Sequence, residues 1–352
     1  MSKLRPRPVP AGLSGITVGP GSLPKPKIDL ARRLVAVVPM ARPLLIAIER
    51  FVARVIAALL PASLMRDKRL FDIWEAHGYH VLPAHFYEPV PAKTDIERVV
   101  GARSTLPGLD LVPDRQLALL DQLRLWRHEY DALPRTADES DDGFYLDNNF
   151  FGSVDAEVLY ALIRTVRPAR VFEIGSGFST SISARACRAN LIDTGHPCEL
   201  VAIEPYPAEA LADVEGLSRL LRERVQDVPL ELFAELEAGD ILFIDSSHAV
   251  VTGGDVCWEL LEIVPRIAPG VFVHVHDVFL PAEYPQKWLK EDHYFWTEQY
   301  LLQALLAFNL AYEVVWAGHF MHLEHPEALR GAFASYRRTP AAPGSFWFRR
   351  TP

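Results

Sequence analysis

The stretch Arg170 to Arg185, RVFEIGSGFSTSISAR, decides how the rest of the chain is read. Val171, Phe172 and Ile174 form a short apolar run rich in β-branched and aromatic residues, which predicts a strand. The run breaks at Gly175-Ser176-Gly177, and the sequence resumes as a predicted helix. Glu173 stands inside the apolar strand, and a buried carboxylate is costly unless it has a polar partner or a site to serve. The two glycines allow a sharp turn and let a ligand come close to the backbone. Ser179 and Thr180 then offer hydroxyls and unpaired N–H groups at the helix start, where an anion is welcome.

Two ligand classes use a strand, glycine turn and helix in this way. A dinucleotide site calls for G-x-G-x-x-G, and here Thr180 stands at the third glycine position. The acid two places before the first glycine gives E-x-G-x-G-x-x-T, on Glu173, Gly175, Gly177 and Thr180. This resembles motif I of the class I S-adenosylmethionine-dependent methyltransferases. The plainer reading is a glycine turn packed on a helix with no ligand at all.

Outward from this stretch, composition sets the bounds. A chain of 352 residues fits one large domain with additions, or two domains, and 49% apolar residues are ample for a core. The net charge of −9, with no basic stripe carrying interleaved aromatics, argues against a nucleic-acid surface. Cys187, Cys198 and Cys257 form no C-x-x-C pair, so neither a zinc site nor a disulfide framework is suggested, and a reducing cytoplasm fits.

Toward the N-terminus, residues 1–29 are rich in Pro and Gly and read as a flexible arm rather than a secretory signal. Between residues 30 and 65, Leu44, Leu45, Ile48, Phe51, Val52, Val55, Ile56, Leu59 and Leu60 recur at helical spacing, with Glu49, Arg50 and Arg54 on the other face. Charges and prolines interrupt the stretch too often for a spanning helix, which needs about 20 apolar residues in a row. Such a helix packs on the body or on a second copy of the chain, or lies on a membrane surface.

Residues 66–150 read as a mixed connecting region. The His- and aromatic-rich loop from Trp74 to Pro89 either covers a ligand site or simply packs. Leu117, Leu120, Leu123 and Trp126 predict a helix from Asp114 to Glu129. The acidic run Asp138 to Gly143 places a domain boundary there, giving an N-terminal extension over 30–143 and a main domain over 144–352. Ser153 is the predicted N-cap of a helix carrying Val158, Leu159, Leu162 and Ile163.

Past the glycine turn, strands and helices alternate, as in a parallel sheet with helices on both faces. Leu200 to Ile203 is the second strand, and Glu204 at its end is placed to accept hydrogen bonds from ribose hydroxyls. Val225-Gln226-Asp227 is read as the end of a third strand, with Gln226 or Asp227 toward an adenine edge. Asp240 to Asp245 is the fourth strand, Gly270 to Asp277 the fifth, and Tyr312 to Trp316 and Ser345 to Phe348 the last two. Glu204, Asp245, His276 and Asp277 all fall at carboxyl ends of strands, where open α/β sheets bind ligands. His274, alternating with His276, is expected to pack under the sheet, and Phe279 to Trp288 reads as an aromatic, proline-fixed lid.

From Phe151 onward the chain looks closest to the metal-using small-molecule O-methyltransferases of the catechol and macrolide-sugar type. The resemblance implies a doubly wound, mostly parallel seven-stranded α/β sheet in the order 3-2-1-4-5-7-6, with the final strand antiparallel. It implies that Glu173, Gly175, Gly177, Ser179, Thr180, Glu204, Gln226 and Asp227 hold S-adenosylmethionine. It further implies that Asp245 and Asp277 hold a divalent cation such as Mg²⁺, and that His248 is the general base. The pattern departs at Val278, where the catechol type has Asn, and His276 would substitute as a ligand. A neutral histidine can take a proton near neutral pH, and a hard cation can orient hydroxyls and lower their pKa. The expected reaction is methylation on oxygen of a saccharide or other polyhydroxylated small molecule, in a cytoplasmic protein with a peripheral membrane contact or a homo-oligomeric one. The alternatives are an NAD-dependent oxidoreductase, which Thr180 disfavours, and a non-catalytic cofactor-binding module docked to a membrane complex.

Overall fold

The computed structural model describes residues 42–60, 67–78, 80–140, 143–338 and 342–351. The arm expected over 1–29 lies outside them. The chain divides into two compact units, residues 1–92 and 93–352. In the first, helix α1 (Arg42–Leu59) realises the expected amphipathic helix. Leu44, Ile48, Phe51, Val52, Val55, Ile56 and Leu59 are all exposed. The His-rich loop also belongs to this unit, where His85 and Phe86 stack with ring centroids 4.3 Å apart.

The second unit is built on a seven-stranded sheet, β1 (Arg170–Ile174), β2 (Glu199–Ile203), β3 (Arg219–Leu221), β4 (Ile241–Ile244), β5 (Phe272–Val275), β6 (Tyr312–Ala317) and β7 (Phe346–Arg350). Their order is β3-β2-β1-β4-β5-β7-β6, as the resemblance implied. Strands β1 to β5 pair in parallel, and β7 runs antiparallel between β5 and β6. Side chains alternate across the pleat, so each strand feeds two cores. Val171, Leu200, Ile241 and Phe243 pack on one face with α3 (Asp155–Val166) and α4 (Phe178–Thr194). Phe172, Ile174, Val201, Ile203, Leu242, Ile244, Val273 and Val275 pack on the other. Strands buried on both faces read as apolar runs, and these do apart from Glu173 in β1 and His274 in β5.

Several local expectations shift. The third strand is Arg219–Leu221, and Val225–Asp227 is a 3-10 turn beyond it. The expected helix from Asp114 to Glu129 begins as α2 (Pro113–Leu123) and continues through a 3-10 segment and a short helix to Tyr130. Ser153 does not cap α3, whose preceding residue is Val154; its Oγ lies 2.5 Å from Ser335 Oγ instead. Gly143 falls inside the second unit rather than at its edge. Leu120, Leu123, Tyr130 and Leu133 ahead of it are buried in the same core as Leu159 and Phe333. The Asp155 carboxylate accepts N–H bonds from Gly344 (2.8 Å) and Ser345 (3.1 Å), tying the start of α3 to the entry of β7.

Candidate active site

The carboxyl ends of β1, β2, β4 and β5 converge on one edge of the second unit. Gly175 has φ +79°, and a Cβ there would stand 1.8 Å from the Asp245 carbonyl oxygen. This glycine is therefore required by the close passage of the β1 and β4 ends. Gly177 differs. Its φ of 178° is ordinary extended backbone, and a Cβ would enter open space. The Thr180 hydroxyl oxygen accepts the Gly177 N–H at 3.1 Å, and the Ser179 hydroxyl donates to Glu173 Oε1 at 2.5 Å. Both hydroxyls fasten the turn instead of standing free for an anion. Glu173 is fully buried, and its Oε2 has no hydrogen-bond partner. Burial pushes its carboxyl up to about 8, against the pull of Ser179 and Thr180.

Two cavities flank the strand ends. The first, of about 420 Å³, is lined by Gly175, Glu204, Gln226 and Asp245 among the expected residues. Tyr206, Arg224, Ser247 and Asp255 also line it, and the sequence reading did not single them out. The Ser247 Oγ and N–H both donate to the Asp255 carboxylate, at 2.5 and 3.2 Å. Glu173, Gly177, Ser179, Thr180 and Asp227 are not among its lining residues, and Asp227 is exposed. The second cavity, of about 500 Å³, is lined by Asn148, Phe150, Asp155, His276, Asp277 and Trp288, among others. The segment read as a lid contributes Phe279, Pro285 and Trp288 to this wall. Its Phe279 and Tyr284 are buried with Ile96 and Leu289 in a separate aromatic cluster.

Asp245 lines one cavity and Asp277 the other, and His248 lies between them. His248 Nε2 is 3.3 Å from Asp245 Oδ1 and 3.7 Å from Asp277 Oδ2. Ligating atoms of Asp245, His248 and Asp277 all fall within 4.8 Å of one another. Among the described residues, the group whose ligating atoms lie close enough to share an ion contains Asp245 and Asp277, as expected, with His248 rather than His276 as the third member. His276 lines the second cavity, with Nε2 3.7 Å from Asp277 Oδ1 and a buried, unpartnered Nδ1. His274 packs as expected, stacked on Phe243 at 3.9 Å with Nε2 2.9 Å from Ser345 Oγ.

Glu298, which opens helix α5 (Glu298–Leu306), was not foreseen as a site residue. Its Oε2 lies 2.9 Å from His248 Nδ1, and both side chains are buried. His248 has φ +59°, and its carbonyl accepts N–H bonds from Thr297 (2.9 Å) and Glu298 (3.2 Å). The electrostatics follow. Burial alone would lower the His248 pKa, but the hydrogen bonds of Asp245 and Glu298 hold it well above the ordinary value. Burial would raise Asp245, but the charges of His276 and His248 bring it down to about 2. Burial raises Asp277, and burial lowers His274 well below the usual histidine range.

An open, mostly parallel sheet with a glycine turn after its first strand and two cavities at its switch point places the protein in the doubly wound class, whose ligands bind at that edge. A family model described as a methyltransferase domain matches residues 172–278, from within β1 to just past the end of β5. An uncharacterized protein of Archaeoglobus fulgidus is 33% identical over 44% of this chain and 73% of its own length. The matched methyltransferase domain, on a sheet ordered β3-β2-β1-β4-β5-β7-β6, supports a class I S-adenosylmethionine-dependent methyltransferase. That family implies S-adenosylmethionine as the cofactor. The residues fit it, because the cavity of about 420 Å³ at the glycine turn brings Gly175 together with the polar groups of Glu204, Gln226 and Asp245.

Proposed function

We propose that the protein transfers a methyl group to a hydroxyl oxygen of a saccharide or other polyhydroxylated small molecule. The observation that carries this is the pair of cavities meeting at two carboxylates, Asp245 on the side of the glycine turn and Asp277 on the side of Trp288. S-adenosylmethionine would supply an electrophilic methyl group from the first cavity. Glu204 would accept its ribose hydroxyls, and Glu173 and Gly177 would border it beyond the cavity walls. Asp245 and Asp277 fit a divalent cation, which would orient an acceptor hydroxyl and lower its pKa. Asn148 and Asp155 supply polar groups to the acceptor wall and Trp288 an apolar face, a lining suited to a sugar.

The proton leaving the hydroxyl needs an acceptor within the second cavity. The sequence reading gave that task to His248, which is engaged on both ring nitrogens by carboxylates. His276 lines the cavity itself, and we assign the base to it. The test is methyl transfer to a panel of sugars and polyols, followed by mass spectrometry. Chelation, Asp245→Ala and Asp277→Ala should each abolish transfer. His276→Asn should keep S-adenosylmethionine binding and lose a rate factor of roughly 10²–10⁴. Full activity in excess chelator would remove the cation. Methylation found only on nitrogen or carbon would remove the oxygen acceptor.

For α1 we propose peripheral contact with an anionic membrane surface. No helix among the described residues is long and apolar enough to cross a membrane. Its exposed apolar face and the exposed Arg50 and Arg54 support a helix lying in the interface.

A further inference from the structure

We propose that Glu298 fixes His248 as a nitrogen ligand of the cation held by Asp245 and Asp277, so that the site selects a first-row transition ion over Mg²⁺. The proposal rests on the cation reading above and goes beyond it in assigning a third donor, its positioning residue and the class of metal.

The argument starts from the backbone. His248 occupies the left-handed region at φ +59°, an uncommon conformation for a residue with a Cβ. It is held there by the start of α5, where the N–H groups of Thr297 and Glu298 both reach the His248 carbonyl. Two residues on, the Val250 N–H donates to Thr297 Oγ1 at 2.8 Å. The Trp296 ring lies against the imidazole, centroids 4.4 Å apart. Main chain and ring are therefore clamped by one segment, Trp296 to Glu298.

The clamp also orients the ring. With Nδ1–H donated to Glu298 Oε2 at 2.9 Å, the Nε2 proton held toward Asp245 is the one that an incoming cation would displace, leaving the Nε2 lone pair directed between the two strand-end carboxylates. A carboxylate–histidine pair of this kind is the usual outer support of a histidine metal ligand. The spacing agrees. Donors on an octahedral ion at about 2.1 Å stand about 3.0 Å apart on neighbouring corners and about 4.2 Å on opposite ones. Nε2 is 3.3 and 3.7 Å from the two carboxylate oxygens, inside that interval and too far for a good hydrogen bond in the second case. Mg²⁺ prefers oxygen donors, whereas an imidazole nitrogen suits the first-row transition ions.

The test uses the full-length protein, stripped of metal and titrated with Mn²⁺ alone and with Mg²⁺ alone. Pulsed electron paramagnetic resonance of the Mn²⁺ form should show ¹⁴N modulation that becomes ¹⁵N modulation when histidine is ¹⁵N-labelled. The signal should persist in His276→Asn and vanish in His248→Asn. Glu298→Ala should weaken Mn²⁺ binding by about 10–100-fold and Mg²⁺ binding by less, with Glu298→Gln, which still accepts from Nδ1–H, between it and the wild type. Mn²⁺ bound by the wild type without nitrogen modulation would overturn the proposal and leave the cation standing. Equal weakening of Mn²⁺ and Mg²⁺ in folded Glu298 variants would overturn the positioning role. Neither ion binding to the wild type would overturn both this proposal and the cation reading beneath it. The wild-type spectrum decides the ligand even if a Glu298 variant fails to fold.

Discussion

Apart from Glu298, which faces His248, three buried glutamates among the described residues, Glu157, Glu173 and Glu259, each have a carboxyl oxygen with no hydrogen-bond partner. An unmatched buried oxygen is tolerated most cheaply when the carboxyl carries its proton. Glu157 is the cleanest case, because it stands outside the cavities. Burial pushes it up to about 7 from 4.5, although it accepts from the Ser335 hydroxyl. A carboxyl whose folded pKa lies above its unfolded one stabilises the fold relative to the charged state below the unfolded value. That contribution disappears as pH rises from about 4.5 through about 7. Glu157→Gln should therefore gain stability over the wild type as pH rises, with a difference between pH 4 and pH 8 of at most about 3 kcal/mol. Thermal melts of both proteins across that range check it, and a constant offset would refute it. Gly177 makes a second expectation at this scale. Gly177→Val should fold, since a Cβ meets nothing within 4 Å and φ is extended. If the proposed cofactor placement holds, it should lose S-adenosylmethionine binding in calorimetry, because the side chain would fill the open space beside the glycine turn. It should also lose the stabilisation of about 2.7 kcal/mol that a ligand at a hundred times its dissociation constant confers.

Among the elements, α1 and α5 show how differently two helices serve one chain. α5 works through its first turn, where N–H groups that have no partner inside the helix are spent on His248. α1 has no acidic residue in its first turn and no basic residue in its last, and its apolar residues are exposed. An isolated helix of 18 residues is marginal in water, so an apolar surface to lie on matters to its stability. Removal of residues 42–60 should abolish sedimentation with anionic liposomes while leaving the remaining protein soluble. Binding that survives the deletion would refute the membrane contact. A loss of solubility or a change of oligomeric state would point to a second copy of the chain as its cover. The 3-10 turn at Val225–Asp227 teaches a smaller lesson. Arg219 to Leu221 make up the short strand ahead of it, and a run of three residues is too short for its periodicity to separate a strand from a turn.

Across the whole molecule, the parts legible in advance were those governed by local pattern. The largely apolar runs of β1, β2, β4 and β5, each ending in an acid or a glycine turn, mark strands buried on both faces of a parallel sheet. Parallel strands put their carboxyl ends on one edge, so Glu204, Asp245 and Asp277 were bound to gather there once the strands were recognised. The boundary placed at Gly143 misled, because an acidic run says that a segment is solvated and says nothing of where the helices before it bury Leu120, Leu123 and Tyr130. The sequence by itself determined the sheet, the glycine turn and the acids at the strand ends, since each depends on neighbours a few residues away. Only the tertiary structure decided what those groups do together. Glu298 is fifty residues from the His248 it grips. Ser179 and Thr180 turn their hydroxyls inward to Glu173 and Gly177. His248 and His276 divide between the carboxylate cluster and the cavity wall by directions that spacing along the chain cannot encode. Distances across a fold are set by packing between elements, and no local periodicity carries them.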